Sequence, residues 1–305
     1  MTGELFALLS ALAFSFASVA IARGARSGSG ESGVFLSVVM TAVLSVVAWS
    51  VSGRPVGLAE PRNPVWIAAG WFAVSGLLAT VGGRTTLFKS IEYAGVVRAS
   101  TTRRLMPFLA LLLAWLILGE GISPSAGAGM ALIAASFAFL YLENRQAIGT
   151  SADAGLDSAG ISRGLAFGIL SAAHYAASFI ARKLGLEDVP NPFFGALVGS
   201  LVALLHYAGG CVVSNRFRSL VWRSFARPDP WQLVAAFCMS VGQISQFAAF
   251  LRTDVSRVAF INSVEVYLSA ALAVLVFRTE SLPSRPILVA MALATGGVVL
   301  IAAGA

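Results

Sequence analysis

The chain has 305 residues, of which 57% are hydrophobic and only 11% charged, and its mean hydropathy is +0.83. A soluble domain carries roughly 25% charged residues, so this chain cannot build a wet surface and is predicted to be an integral membrane protein. Its formal net charge is +7. The basic residues are scattered through short loops, which fits membrane topology and anionic headgroups. No nucleic-acid partner is therefore expected.

Apolar runs long enough to span a bilayer divide the chain. The first run lacks the basic start and the cleavage site of a signal peptide, so it is predicted to be a membrane helix. The loops are short, except for a linker-like Gly-, Ser- and Ala-rich stretch at 146–162. The ten predicted helices lie near residues 4–22, 34–52, 65–88, 94–118, 124–142, 163–182, 193–213, 231–251, 255–277 and 284–303.

The linker separates two similar halves, residues 1–145 and 163–305. At an offset of 160, residues 90–142 align with 250–302, and Glu120 then matches Glu280. Both glutamates are expected to end helices at the surface rather than to bind substrate. Because each half holds an odd number of helices, the second half enters the membrane in the opposite sense. The predicted fold is an all-α integral membrane protein of ten transmembrane helices in two inverted-topology five-helix repeats, as in many secondary transporters.

Motifs in both halves resemble those of a known family. They are Phe14-Ser15 (where that family commonly has Trp-Gly), the run Ser90 to Gly95, Pro107, Leu118-Gly119-Glu120, and the small residues Gly127, Gly129 and Ala135. With these motifs the chain resembles the ten-helix, EamA-type branch of the drug/metabolite transporter superfamily over essentially its whole length. The second half departs from the pattern at Phe277-Arg278-Thr279-Glu280 and at Tyr267, where a proline is expected.

The resemblance implies a transporter of small metabolites, often acting outward, in the cytoplasmic (inner) membrane, with cytoplasmic termini. The distribution of arginines among the loops favours the reverse orientation. Ten helices need no partner to enclose a pathway, so a monomer or a homodimer is expected. A lipid or lipid-linked headgroup flippase on the same fold is the alternative function. The segment 215–230 is expected to be an interfacial loop anchored at the headgroups.

Charged residues lie where helices are expected to cross the hydrocarbon, at a cost of at least about 2.5–3.5 kcal/mol each. Arg103 and Arg104 are roughly 14 Å into the fourth helix at 1.5 Å per residue, on one stripe with Ser100. The ninth helix carries a matching stripe with Asn262 and Glu265. An Arg–Glu bridge between the halves is therefore expected near the midplane.

Two arginines against one glutamate leave positive charge for a ligand, and guanidinium groups suit carboxylate or phosphate. This predicts an anionic or zwitterionic solute anchored by Arg103 or Arg104. In the purely structural alternative, Glu265 neutralises one arginine, the other reaches a phosphate or helix-end carbonyls, and nothing binds. Glu265 is also a candidate for coupling transport to a proton or another ion.

Polar but uncharged stripes lie on the predicted sixth and eighth helices, which carry His174 and Gln243. Tyr175, next to His174, aligns with Phe14 of the first half. A lone histidine or glutamine in a membrane helix fits interhelical hydrogen bonding at least as well as ligand binding. Cys211 and Cys238 lack ligand-spaced neighbours, and no catalytic set or nucleotide-binding loop is found, so no metal, cofactor or enzymatic activity is expected. The residues expected to line the substrate path are Arg103, Arg104, Glu265, Arg84, Asn262, His174, Tyr175, Gln243, Phe14 and Ser100.

Overall fold

The computed structural model describes residues 3–25, 32–52, 64–87, 89–90, 93, 102, 104–148, 158–226, 229–275 and 285–303. These residues form helices joined by turns, with no strand among them. In chain order the helices are α1 (Gly3–Ala25), α2 (Ser32–Ser52), α3 (Val65–Gly76), α4 (Met106–Leu113), α5 (Pro124–Ile148), α6 (Ser158–Asp188), α7 (Pro192–Val213), α8 (Asn215–Ala226), α9 (Pro230–Phe250), α10 (Val255–Ser263), α11 (Glu265–Leu275) and α12 (Arg285–Ala303). Helix α3 continues as the π-helical segment Leu77–Gly83, and α4 as Ala114–Leu118.

Six of these helices (α1, α2, α3 with its extension, α6, α7 and α9) are long and apolar enough to cross a membrane. Shorter apolar helices cover Met106–Leu118 and Leu288–Ile301. Large apolar side chains point outward, among them Trp66 (73% exposed) and Leu205 (70% exposed). An exterior of this kind is stable only against lipid. The protein is therefore an integral membrane protein, as its composition predicts.

The sixth helix is longer than its predicted range of 163–182. In the structure α6 continues to Asp188, because Arg182 turns into the bundle and Leu186 on the next turn is buried. Arg182, which in the sequence resembles the charged end of a membrane span, is thus an interior residue. The segment 215–230, predicted to be a loop, contains the short helix α8.

Helices α1 and α9 cross in antiparallel orientation. Near the start of α1, the Glu4 Oε1 accepts a hydrogen bond of 2.9 Å from Thr253 Oγ1, just beyond the end of α9. Further along, the Phe14 ring lies against Gly242, where a Cβ would be only 2.7 Å from the ring. Glycine is required here because the ring occupies the space of its missing side chain.

Helices α3 and α6 also cross in antiparallel orientation. A Cβ on Gly82, in the extension of α3, would lie 2.7 Å from the His174 ring, and a Cβ on Gly185 would lie 2.5 Å from Phe72. At the offset of 160 between the halves, Gly82 corresponds to Gly242 and His174 to Phe14. At both crossings an aromatic ring from one half therefore packs on a glycine of the other half. The first half supplies the ring, Phe14, at one crossing and the glycine, Gly82, at the other.

Helices α5 and α12 approach backbone to backbone. A Cβ on Gly297 would lie 2.6 Å from the Gly129 carbonyl oxygen and 2.7 Å from Ile133 Cγ1. A Cβ on the neighbouring Gly296 would have only Leu132 Cδ1 nearby, at 3.9 Å. Small residues of this kind allow close helix packing in membranes.

This geometry predicts opposite outcomes for two adjacent substitutions. Gly297→Ala should destabilise the protein by about 1–3 kcal/mol, since the methyl group would force the two backbones apart. Gly296→Ala should be neutral or slightly stabilising, because it gains helix propensity without a clash. Both variants lose one helical glycine, so the difference in melting temperature of the purified proteins measures packing alone. Equal melting temperatures would contradict this close approach.

The fourth and ninth helices are interrupted at equivalent positions. A turn at Arg104 and Leu105 precedes α4, in which Pro107 is the second residue. Val264, which corresponds to Arg104 at the offset of 160, separates α10 from α11. Proline lacks an amide hydrogen and explains the first interruption. The second occurs without one, since Tyr267 occupies the position of Pro107.

Candidate functional site

Glu265 lies at the start of α11, directly after the interruption of the ninth helix. Its Oε1 accepts a 2.8 Å hydrogen bond from Ser18 Oγ, and its backbone oxygen lies 3.1 Å from Ser15 Oγ, a second donor on α1. A carboxylate in the first turn of a helix is also favoured by the helix dipole. Glu265 therefore links the first helix to the broken ninth helix.

Arg104 lies half-buried at the turn before α4 and interacts electrostatically with Tyr267 on α11. Tyr267 is only 3% exposed, and its hydroxyl donates a 2.8 Å hydrogen bond to Ser136 Oγ on α5. The Phe108 ring on α4 meets the Phe260 ring on α10 edge-on at 5.2 Å, so the helices beside the two interruptions pack against each other. Arg103 and Ser100 lie outside the described residues, so an Arg103–Glu265 bridge stays a prediction.

Asn262 is a predicted site residue whose side chain is buried. It is 5% exposed, and neither its Oδ1 nor its Nδ2 has a hydrogen-bond partner among the described residues. A buried polar group left in this way costs about 1–3 kcal/mol, and such groups in a folded protein call for a ligand, water or ion. Asn262 lies two residues before the interruption at Val264, beside the Glu265 stripe that the sequence predicts.

A second set of predicted site residues meets where α3 and α6 cross. The His174 ring packs on Gly82, and its buried Nδ1 has no partner among the described residues. The Tyr175 ring packs on Gly83, where a Cβ would be 3.0 Å away. The next residue along α3, Arg84, has a buried Nη1 that also has no partner in the described part of the chain.

Phe14 and Gln243 lie together at the crossing of α1 and α9. Phe14 packs on Gly242, and Gln243 is the next residue, half-buried. Phe14 packs on Gly242 and His174 packs on the equivalent Gly82. In the structure the counterpart of Phe14 is therefore His174 rather than Tyr175. Phe14, Gln243 and His174 therefore occupy the crossings that surround the two interruptions.

Arg182 on α6 is an interior cation that the sequence analysis predicted at the end of the sixth helix. It is 6% exposed. Its Nε donates to Ser75 Oγ at 3.0 Å, its Nη1 donates to Gln246 Oε1, and its guanidinium lies 4.8 Å from the centre of the Phe247 ring. Within the described part of the chain it has no carboxylate partner. A sixth helix predicted to run to Asp188 would have placed both Arg182 and Lys183 within the helix.

Charged residues of the described interior fall into two groups. Glu4, Arg182 and Asp188 are buried near one end of the bundle, where Lys183, next to Arg182, binds Thr253 and Thr253 binds Glu4. Nearer the interruptions, Arg84, Arg104 and Glu265 are partly buried. Among these described central residues two arginines therefore stand against one carboxylate.

A helical bundle with an apolar exterior, interrupted helices and buried charges is typical of membrane transporters. The sequence matches the model of the EamA-like transporter family twice, over residues 1–142 and 162–303. The chain therefore belongs to this family and is a transmembrane transporter of the drug/metabolite type. One solved crystal structure aligns with it at a TM-score of 0.64 and 17% sequence identity, covering 98% of this chain and 95% of the other. At that identity the likeness concerns the fold alone. No curated protein sequence matches this chain.

Proposed function

We propose that this protein is a secondary transporter that moves a small anionic or zwitterionic metabolite, in the outward direction, across the cytoplasmic membrane. Ten spans, arranged as two inverted five-helix repeats over 1–145 and 163–305, carry the path. The equivalent antiparallel crossings of α1 with α9 and of α6 with α3 support this arrangement, because a pseudo-two-fold axis in the membrane plane relates such pairs.

The observation that carries the proposal is the pair of neighbouring interruptions, beside which the buried Asn262 side chain has no hydrogen-bond partner among the described residues. Secondary transporters bind their substrates near the midplane, typically where helices are interrupted. The surplus of interior arginines favours an anionic group on the solute, since a guanidinium donates paired hydrogen bonds to carboxylate or phosphate. Arg104 or its neighbour Arg103 is the proposed anchor, and Glu265 is the proposed coupling carboxylate.

Polar contacts link helices α1, α6, α9 and α10 at one end of the bundle. Lys183 Nζ donates to the backbone oxygens of Phe250 (2.9 Å) and Thr253 (3.1 Å), and Thr253 Oγ1 donates to Glu4. Arg257 approaches Glu4 at 3.9 Å. In alternating access these contacts would have to separate for the substrate site to reach this side of the membrane.

Purified protein should be screened by thermal shift against amino acids, organic acids, nucleosides and phosphorylated metabolites. A ligand that binds the folded state raises the melting temperature. The best ligand is then tested for transport in proteoliposomes with Arg104→Gln and, as a matched charge control, Arg163→Gln at an exposed site on α6. We expect Arg104→Gln to lower transport at least about tenfold, the loss of about 1.4 kcal/mol of binding to a charged group, and Arg163→Gln to leave it unchanged.

Stabilisation by cations alone would overturn the proposed substrate class. Unchanged transport by a well-expressed Arg104→Gln variant would remove Arg104 as the anchor. Translocation of a labelled phospholipid without transport of any water-soluble solute would instead support a flippase that recognises a headgroup phosphate.

A further inference from the structure

The short helix α8 turns back onto the end of α7. Its Phe217 ring occupies the space beside Gly210, where a Cβ would be 2.6 Å from the ring. It also lies 5.8 Å from the Tyr207 ring, centre to centre. Towards the other end of α8, the Phe225 ring meets Phe35 of α2 edge-on at 5.7 Å. Helix α8 is therefore held against the ends of two membrane helices.

The two sides of α8 differ in chemistry. Ser224 is 1% exposed, and Leu220 and Val221 pack inward against the cluster formed with Phe35 and Tyr207. On the outer side Trp222 is 72% exposed. An amphipathic helix with an exposed tryptophan and arginines is typical of the membrane–water interface. Val213, the last residue of α7, is 88% exposed, so lipid surrounds the helix end from which α8 starts.

The charge of this segment has one sign. The sequence has no aspartate or glutamate between Asp188 and Asp229, whereas arginine occupies positions 216, 218, 223 and 227. Arg218 donates to the carbonyl oxygens of Cys211 (2.6 Å) and Val212 (3.1 Å). Arg223 is exposed and forms no ion pair within the described residues. The positive charge of α8 is thus not neutralised by the described protein groups.

We propose that the outer side of α8, formed by Arg218, Trp222 and Arg223, is a binding surface for anionic phospholipid. The Trp222 side chain lies at the headgroup level, and Arg223 binds the phosphates around it. Phospholipid fits this surface because Arg223, which has no ion-pair partner among the described residues, lies beside an exposed tryptophan at a helix end that lipid surrounds. The inference rests on the membrane location of the chain and is independent of the transported solute.

The test uses full-length protein in nanodiscs that contain brominated phosphatidylglycerol or brominated phosphatidylcholine in otherwise identical lipid. Bromine quenches nearby tryptophan, and the contribution of Trp222 is the difference between the wild type and a Trp222→Phe variant. We expect phosphatidylglycerol to quench Trp222 more strongly. Arg223→Gln should reduce the preference for the anionic lipid by about fivefold, the effect of one arginine near an anionic surface. High salt should reduce it as well.

Arg163→Gln serves as the charge control, because α6 and α7 are consecutive antiparallel helices and Arg163 and α8 therefore lie at the same end. This variant should keep the full preference. Equal quenching by the two brominated lipids, or a preference that Arg223→Gln leaves unchanged, would overturn the proposal. Absence of quenching by either lipid would show that Trp222 faces water or another protein, and would overturn it as well.

Discussion

Glu120→Ala is expected to lower the free energy of unfolding by about 2–3 kcal/mol, because it removes the cap of α10. The Glu120 Oε1 accepts from the Val255 backbone N–H at 2.7 Å. Its Oε2 accepts from the Ser256 backbone N–H (3.1 Å) and from Ser256 Oγ (2.9 Å). The residue at the N-cap position, Asp254, makes no capping hydrogen bond and instead pairs with Arg257 at 3.1 Å. The first amides of α10 therefore depend on a carboxylate from the end of the fourth helix.

Two further variants make this prediction specific. Glu120→Gln keeps the size and one acceptor oxygen, so it should recover roughly half of the loss, since charged acceptors are about twice as strong as neutral ones. Glu187→Ala removes an exposed carboxylate on α6 and should change the stability by less than about 0.5 kcal/mol. Chemical unfolding in one detergent gives all three values. A loss for Glu120→Ala no larger than that for Glu187→Ala would show that the cap contributes nothing.

The role of Glu120 shows where sequence interpretation ends. The motif Leu118-Gly119-Glu120 correctly predicts a helix end: Gly119 has a positive φ of 66°, which glycine adopts without strain. The interpretation of Glu120 as a structural rather than a substrate-binding residue fits its contacts. The partners of Glu120 could not be predicted, because Val255 and Ser256 are far away in the sequence. Their local sequence also gives no sign that α10 lacks a cap of its own.

The fold was easier to predict than the site for a physical reason. Lipid imposes length and apolarity on each span, so hydropathy alone identifies a bundle of membrane helices. Contacts between helices depend on rotation and register, which a nearly all-apolar helix does not display. Asn262 could be named as a polar residue in a span, but only the structure shows that its buried amide has no hydrogen-bond partner among the described residues. The interruption at Val264 carries no proline and no glycine that would have signalled it.

Arg182 shows the same limit of sequence interpretation, because a residue predicted at the end of a helix lies in the interior. Two adjacent basic residues, Arg182 and Lys183, are typical of the end of a span, and the sixth helix was predicted to stop there. In the structure Lys183 does reach helix-end carbonyls, whereas Arg182 points inward to Ser75 and Gln246. On a helix, adjacent residues differ by about 100° in direction. The length of the apolar run cannot reveal which of the two enters the interior.

Arg182→Met is expected to destabilise the protein by about 2–4 kcal/mol, although it removes a buried charge. Placing the arginine in the hydrocarbon costs at least about 2.5–3.5 kcal/mol. Against this stand two hydrogen bonds from a charged donor, about 1.5–3 kcal/mol each, and contacts with the rings of Phe179 and Phe247, about 0.5–2 kcal/mol each. The favourable terms together, about 4–10 kcal/mol, exceed the cost at its lower bound, and the substitution also leaves Gln246 without its Arg182 partner.

A double-mutant cycle with Gln246→Leu measures the part of this stabilisation that depends on the pair. We expect a coupling energy of about 1–3 kcal/mol, with the double variant more stable than the sum of the two single losses implies. Arg182→Lys should recover less than half of the loss, since a compact ammonium cannot bind both acceptors while stacking on the rings. Arg163→Met, at an exposed position on the same helix, controls for the loss of a positive charge. A melting temperature of Arg182→Met at or above that of the wild type would mean that desolvation outweighs the contacts. The buried arginine would then destabilise the fold, and its presence would have to be explained by a role in substrate binding.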